Sequence, residues 1–174
     1  MFRDLAKCTA KLKGSRYEGA IIAAAVWEKT CGAPTTEPQI ITDRHQLLKV
    51  RATDMTGTLT INMLLGKKPP LSLKNSKGQV LLTARAVSKL KLSKELSFSF
   101  SAAAITEFVT AVNDTNHLHR QDFFNPPLVP ALLIMEKILQ AVDFKLKRLS
   151  LKFTAPSFAG DDILIKLETR DSHE

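Results

Sequence analysis

Residues 131–144 read Ala-Leu-Leu-Ile-Met-Glu-Lys-Ile-Leu-Gln-Ala-Val-Asp-Phe. Leu132, Leu133, Ile134, Met135, Ile138, Leu139 and Val142 make the segment apolar around most of its girth, while Glu136, Lys137, Gln140 and Asp143 share one narrow polar stripe. A helix of that kind is wrapped by other structure rather than laid on a surface. Its start is set from outside, because Asn125-Pro126-Pro127-Leu128-Val129-Pro130 holds three prolines and resists helix. Beyond it, Arg148 to Ala155 reads as a strand, Gly160-Asp161 as a turn and Asp162 to Glu168 as another strand.

Upstream, Ala102 to Val112 places Ile105, Phe108, Val109 and Val112 at i, i+3, i+4, i+7, which predicts an amphipathic helix. Leu96 to Phe100 reads as a short strand and Lys89 to Glu95 as a charged connector. Gln79 to Val87 reads as a strand and Gly66 to Gly78 as a loop. Gln46 to Met63 suggests two strands turning tightly at Gly57. Glu18 to Thr30 is Ala-rich and apolar on most sides, so it predicts a second buried helix, ending at Gly32 with Pro34 beyond. Residues 1–16 are basic and weakly patterned.

A long buried helix followed by strands able to enclose it outlines an α+β hotdog fold, an antiparallel sheet wrapped around a long central helix. The helix at 18–30 precedes strands turning at Gly57, and the helix at 131–144 precedes strands turning at Gly160. This weak repeat leaves a condensed double hotdog open beside ordinary α+β sequence. The expected organisation is a basic helix-plus-strands segment over 1–96 and the hotdog segment over 97–174. The first is either a degenerate half or a supply of extra strands.

The net charge of +8 is unevenly spread. Residues 1–96 hold 17 Lys/Arg against 7 Asp/Glu, a balance of +10, and residues 97–174 hold 8 against 10, a balance of −2. A basic half meets an acidic carrier protein, the phosphates of a nucleotide-bearing cofactor or nucleic acid, or is simply a solvated surface. Nucleic acid has little support, because one Tyr, one Trp and no recognisable binding signature are present. No apolar run reaches the ~18 residues of a membrane helix, which leads to an expected cytoplasmic location. Two cysteines, Cys8 and Cys31, argue against a disulfide framework, and no Cys/His spacing suggests a zinc site.

Chemistry concentrates in Asn113-Asp114-Thr115-Asn116-His117-Leu118-His119. A carboxylate, an amide and an imidazole follow an Asp-x-Asn-x-x-His spacing just where a helix ends. Such loops often present functional side chains, and these groups can take, give and orient a proton. Structural roles stay open beside the chemical ones. Asp114 can serve as a helix-ending turn residue, His119 as a hydrogen-bonded structural histidine, and Glu136 as a solvated or salt-bridged member of its stripe, the favoured reading there. His117 reads as a surface loop residue, and Asp161 with Asp162 as a turn with no metal role.

From residue 97 onward the chain resembles the MaoC-like dehydratases, including the (R)-specific enoyl-CoA hydratases. Asn113 to His119 is similar to the family's Gly-Asp-x-Asn-Pro-x-His motif. Leu128-Val129-Pro130-Ala131-Leu132-Leu133 resembles the loop opening its central helix, where the family has Gly in place of Ala131. Residues 151–161, from Leu151-Lys152-Phe153 to Gly160-Asp161, are similar to its Phe-x-x-Pro-Val-x-Pro-Gly-Asp strand pair. Pro127 to Ala131 with Glu136 also resembles the bacterial 3-hydroxyacyl-carrier-protein dehydratases, whose helix carries a Glu at that offset.

The resemblance implies a hydro-lyase interconverting a trans-2-enoyl thioester and a 3-hydroxyacyl thioester of CoA or an acyl carrier protein. It makes Asp114 and His119 the catalytic pair, Asn116 the residue orienting water or His119, the Ala131 N–H the oxyanion donor and Glu136 the candidate second carboxylate. It implies no dissociable cofactor; a homodimer is the expected assembly beside a fused pair, and the residues themselves predict no metal and no membrane. A thioesterase, or a non-catalytic subunit that binds acyl thioesters, are the alternatives.

Overall fold

The computed structural model describes residues 2–30, 32–66, 79–88, 93–142 and 146–171. Among these residues there are three α-helices: α1 (Phe2–Thr9), α2 (Ala102–Val112) and α3 (Ala131–Ala141). Eight strands are β1 (Ile21–Glu28), β2 (Gln39–Arg44), β3 (Leu47–Thr53), β4 (Thr58–Leu64), β5 (Gln79–Ser88), β6 (Ser93–Phe98), β7 (Leu146–Lys152) and β8 (Asp162–Asp171). They form one sheet in the order β2-β3-β4-β1-β7-β5-β8-β6. Every pairing is antiparallel except that of β5 with β8. Strands from both halves of the chain interleave, since β1 lies between β4 and β7 while β5 lies between β7 and β8.

This corrects the expected hotdog fold, single or double. The sheet is mixed rather than antiparallel, and among the described residues no long helix runs through its centre. The longest described helices, α2 and α3, have 11 residues each. Eleven residues make a helix about 16 Å long, while eight strands span about 34 Å across seven interstrand gaps. The inner face is therefore shared: α1 packs on α2, α3, β3 and β4, and α3 packs on β1. The last residues of the expected 131–144 helix and the expected 66–78 loop lie largely outside the described residues.

The expected helix at 18–30 is also corrected, because those residues form strand β1. Alanine has the best intrinsic helix propensity, but tertiary pairing decides here. Ala25 is fully buried on the inner face between Ile61 of β4 and Leu151 of β7. Small side chains there let α3 come close. Ala23 falls at the irregularity between the Ile22–Met63 and Ala24–Asn62 pairings, and its carbonyl accepts the Phe153 N–H at 2.9 Å. With the first helix gone, the weak repeat has no structural counterpart.

Strands β3 and β4 meet at the expected turn. A Cβ on Gly57 would stand 2.5 Å from the Glu28 carbonyl oxygen and 2.7 Å from Trp27 Nε1, so only glycine fits. Asp54 Oδ1 accepts the Thr56 and Gly57 N–H groups at 2.6 and 3.0 Å, closing the turn. Alternation then sets the two faces. Leu48, Val50, Ala52, Leu59, Ile61, Ala84, Leu149, Leu151, Ile163, Ile165 and Leu167 point into the core, and their polar neighbours point away from it. No helix among the described residues is long and apolar enough to cross a membrane.

Candidate active site

Helix α2 starts on Ser101, whose Oγ accepts the Ala104 N–H at 3.1 Å. It ends at Asn113, which is left-handed at φ 57° and ψ 39°. The Asn113 N–H donates to Thr110 O at 3.2 Å and the Asp114 N–H to Val109 O at 2.9 Å. That pair of bonds is a Schellman motif, and Asn is one of the few residues that tolerate its left-handed position. The reversal carries Asp114 off the helix end and toward the core.

Two side chains then set the loop. Asp114 Oδ1 accepts the Asn116 N–H at 2.9 Å, and Asn116 Oδ1 accepts the Leu118 N–H at 3.2 Å, capping a 3-10 turn at His117–His119. Asn116 Nδ2 donates to Ala20 O at 2.8 Å, tying the loop to the approach to β1. Buried Leu118, Leu128 and Phe158 form a small cluster under it. The Leu128 N–H donates to Leu118 O at 2.9 Å, and Leu128 bridges to Phe158.

His119 is buried, and its Nδ1 lies 2.7 Å from Leu128 O. A carbonyl oxygen only accepts, so Nδ1 carries the proton in that bond and Nε2 is left bare in the neutral ring. Nε2 stands 3.7 Å from Asp114 Oδ2. That is too long for a direct hydrogen bond and short enough for one water to reach both atoms. The Asp114 side chain is 27% exposed, so solvent reaches the pair from one side.

Asp114, Asn116, His119 and Ala131 line a single cavity of about 660 Å³. Its remaining wall is largely apolar: Ala6, Ala10 and Leu12 at α1 and the turn after it, Ile22, Ile61 and Met63 from the sheet, Phe108 and Val112 from α2, and Leu132 and Ile134 from α3. Helix α3 begins on Pro130 with no side-chain cap. The Leu133 and Ile134 N–H groups return to Pro130 O, which leaves the Ala131 and Leu132 N–H groups at the cavity wall without a partner among the described residues. Asn113 is the one non-glycine residue with positive φ among those described, so Ala131 has no need of glycine's freedom.

Glu136 does not join this group. It is 5% exposed and faces α1, where Arg3 Nε donates to Oε1 at 2.8 Å and Arg3 Nη2 to Oε2 at 3.2 Å. It belongs to an ion pair between helices, and the cavity lining excludes it. Glu136 in turn raises the Arg3 pKa, chiefly through that hydrogen bond. His117 lines the cavity mouth, with its ring 6.0 Å from that of Phe123. Asp122 is a surface partner of Arg120, whose hydrogen bond lowers its pKa. Asp161 is buried; its Oδ2 accepts the Phe158 N–H at 2.7 Å and its Oδ1 has no partner among the described residues. Burial is the largest influence on this carboxyl and pushes its pKa up. No group of three His, Cys, Asp or Glu suited to a metal occurs among the described residues.

Sequence reasoning missed the contribution of α1 and the turn after it, which supply one wall of the cavity. The signal was present but faint, since Phe2, Leu5, Ala6 and Thr9 lie at helical spacing in a short segment crowded with lysines. No protein-family model matches the chain, and no curated protein is significantly similar to it.

Proposed function

We propose that the chain is an acyl-thioester hydratase or dehydratase, interconverting a trans-2-enoyl thioester and a 3-hydroxyacyl thioester of CoA or a carrier protein. The observation that carries this reading is the bare Nε2 of His119, 3.7 Å from Asp114 Oδ2, at the polar end of an apolar cavity. The order of three motifs resembling those of MaoC-like dehydratases supports it. The reading rests on the site and not on a shared fold.

In the hydration direction, a water between the two side chains gives a proton to His119 Nε2 as its oxygen bonds to Cβ. The Cα=Cβ electron pair moves toward the thioester carbonyl, whose oxygen gains negative charge. The Ala131 N–H at the start of α3 is the group available to hold that charge, aided by the helix dipole. The Asp114 carboxylate accepts a hydrogen bond from the water and orients it. Cα then takes the proton from Nε2, so water adds across the bond and the enzyme returns to its starting state. Asn116, with its oxygen capping the 3-10 turn and its nitrogen held by Ala20 O, acts as a positioning residue.

The test is loss of enoyl absorbance on incubation with crotonyl-CoA and with longer enoyl thioesters of CoA and of carrier protein, with free thiol followed in parallel. Enoyl loss without thiol release is expected. Thiol release would make the protein a thioesterase. Tight acyl-CoA binding with neither signal would make it a binding subunit.

A further inference from the structure

The sheet has a second face, turned away from the helices and the cavity, and no described element covers it. Register places its side chains in rows. Lys49 on β3 pairs with Asn62 on β4, Asn62 with Ala24 on β1, and Ala24 with Lys152 on β7. One row along, Arg51 pairs with Thr60, Thr60 with Val26, Val26 with Ser150, and Ser150 with Arg85 on β5. The middle of both rows is small and half-buried, and the ends are cationic.

Strand spacing sets the width. Lys49 and Lys152 are three gaps apart, about 14 Å, and Arg51 and Arg85 four gaps apart, about 19 Å. None of these four cations forms an ion pair among the described residues: Glu168 stands opposite Arg85 in the β5–β8 register but pairs with Lys166 at 3.3 Å, Glu28 pairs with Arg148 at 3.5 Å, and Glu95 stands opposite Lys166 at the far side of the sheet. The face is thus a shallow trough of small side chains running along β4 and β1 between two basic rails.

We propose that this trough is a docking surface for an acidic α-helix of another protein, lying along β4 and β1 with carboxylates on both flanks. A helix is about 10–12 Å across with its side chains, which fits between the rails. Ala24, Val26 and Thr60 give it a floor to bury against, and Lys49, Arg51, Lys152 and Arg85 give it charge partners. Single-stranded nucleic acid is disfavoured because no aromatic side chain stands on this face among the described residues, so bases have no platform to stack on. A second copy of the chain would set rail against rail. The partner does not deliver substrate either, because the cavity opens on the opposite side of the sheet.

The test uses fluorescence anisotropy at one fixed ionic strength. Three probes are compared: a helical peptide with glutamates flanking an alanine-leucine face, the same composition broken by two prolines, and a single-stranded 20-mer oligonucleotide. The helical peptide is expected to bind at least ~10-fold tighter than the broken one. Either Lys49→Glu with Arg51→Glu, or Arg85→Glu with Lys152→Glu, should weaken it at least ~10-fold. Reversing two cations on the helix side, Lys7→Glu with Lys137→Glu, should change it less than ~2-fold, and circular dichroism checks each fold. Equal loss in that control, no binding of the helical peptide, or tighter binding of the oligonucleotide would overturn the proposal. So would a wild-type dimer, seen by sedimentation, that dissociates on reversal of either rail.

Discussion

At the scale of the residue, His119 and Asp114 carry the proposed chemistry, and their surroundings say how to test them. Asp114→Asn keeps the oxygen that accepts the Asn116 N–H but removes the charge facing His119. Enoyl-thioester hydration should fall at least ~10²-fold with the loop intact. His119→Ala should cost as much, with circular dichroism needed because a buried ring is also lost. Wild-type rates in both variants would remove the pair from the mechanism. Asn116→Ala strips a cap and the tie to Ala20 together, so thermal stability should drop by about 1–2 kcal/mol. Asp161 yields a pH effect of definite sign. Burial raises its pKa in the fold, so the native state holds the proton more firmly than the unfolded chain. Stability contributed by the protonated form is full below the ordinary carboxylate pKa and declines as pH rises toward the raised one. Asp161→Asn keeps an oxygen for the Phe158 N–H and cannot ionise. Its stability relative to wild type should therefore improve from about pH 3 to about pH 7 in urea unfolding. A flat difference would show that the carboxyl titrates normally.

At the scale of the element, the Arg3–Glu136 pair fastens α1 to α3. Glu136 is buried and Arg3 is about two-fifths exposed, so the two ends of the pair are not equivalent. Arg3→Met should cost roughly 1–3 kcal/mol, at the lower side of buried pairs because solvent screens the guanidinium. Adding Glu136→Leu should recover much of that loss, since the stranded charge is gone. A double-mutant cycle by denaturant titration measures the coupling, and additive losses would mean that the pair itself contributes nothing to holding α1 on α3. The same elements show what was legible. Helix α2 and the β3–β4 turn follow from local pattern, because Ile105, Phe108, Val109 and Val112 repeat at helical spacing and Gly57 marks the reversal. Strand β1 does not, because alanines on both of its faces erase the alternation that marks a strand. Strand β2 hides for another reason: it lies at the sheet edge and is exposed along nearly its whole length. In the site, the spacing of Asp114 and His119 is local and readable. Asn116 finds Ala20 96 residues away and Arg3 finds Glu136 133 residues away, and no local pattern encodes such partners.

At the scale of the whole molecule, one sheet separates two kinds of surface. Its inner face closes a cavity with the helices, and its outer face mixes small and cationic side chains with exposed Leu47 and Leu81. The cavity of about 660 Å³ lies within the ~300–1,000 Å³ typical of sites for drug-sized ligands. A four-carbon acyl group fills little of it, so an acyl chain longer than crotonyl is the expected substrate. Ile61 gives a way to read that. It is 2% exposed, sits on the inner face of β4 and lines the cavity from the sheet side, whereas Asp114 and His119 approach from the loop after α2. Ile61→Phe adds volume into open space, so stability should change by less than the ~1–3 kcal/mol of overpacking a filled core. If the cavity holds the acyl chain, kcat/KM for long enoyl thioesters should fall at least ~10-fold while that for crotonyl-CoA stays within about threefold, because only a long chain needs the space removed. Parallel loss on both substrates would mean that the new ring disturbs the reacting end. An unchanged preference for long chains would mean that the acyl group lies elsewhere.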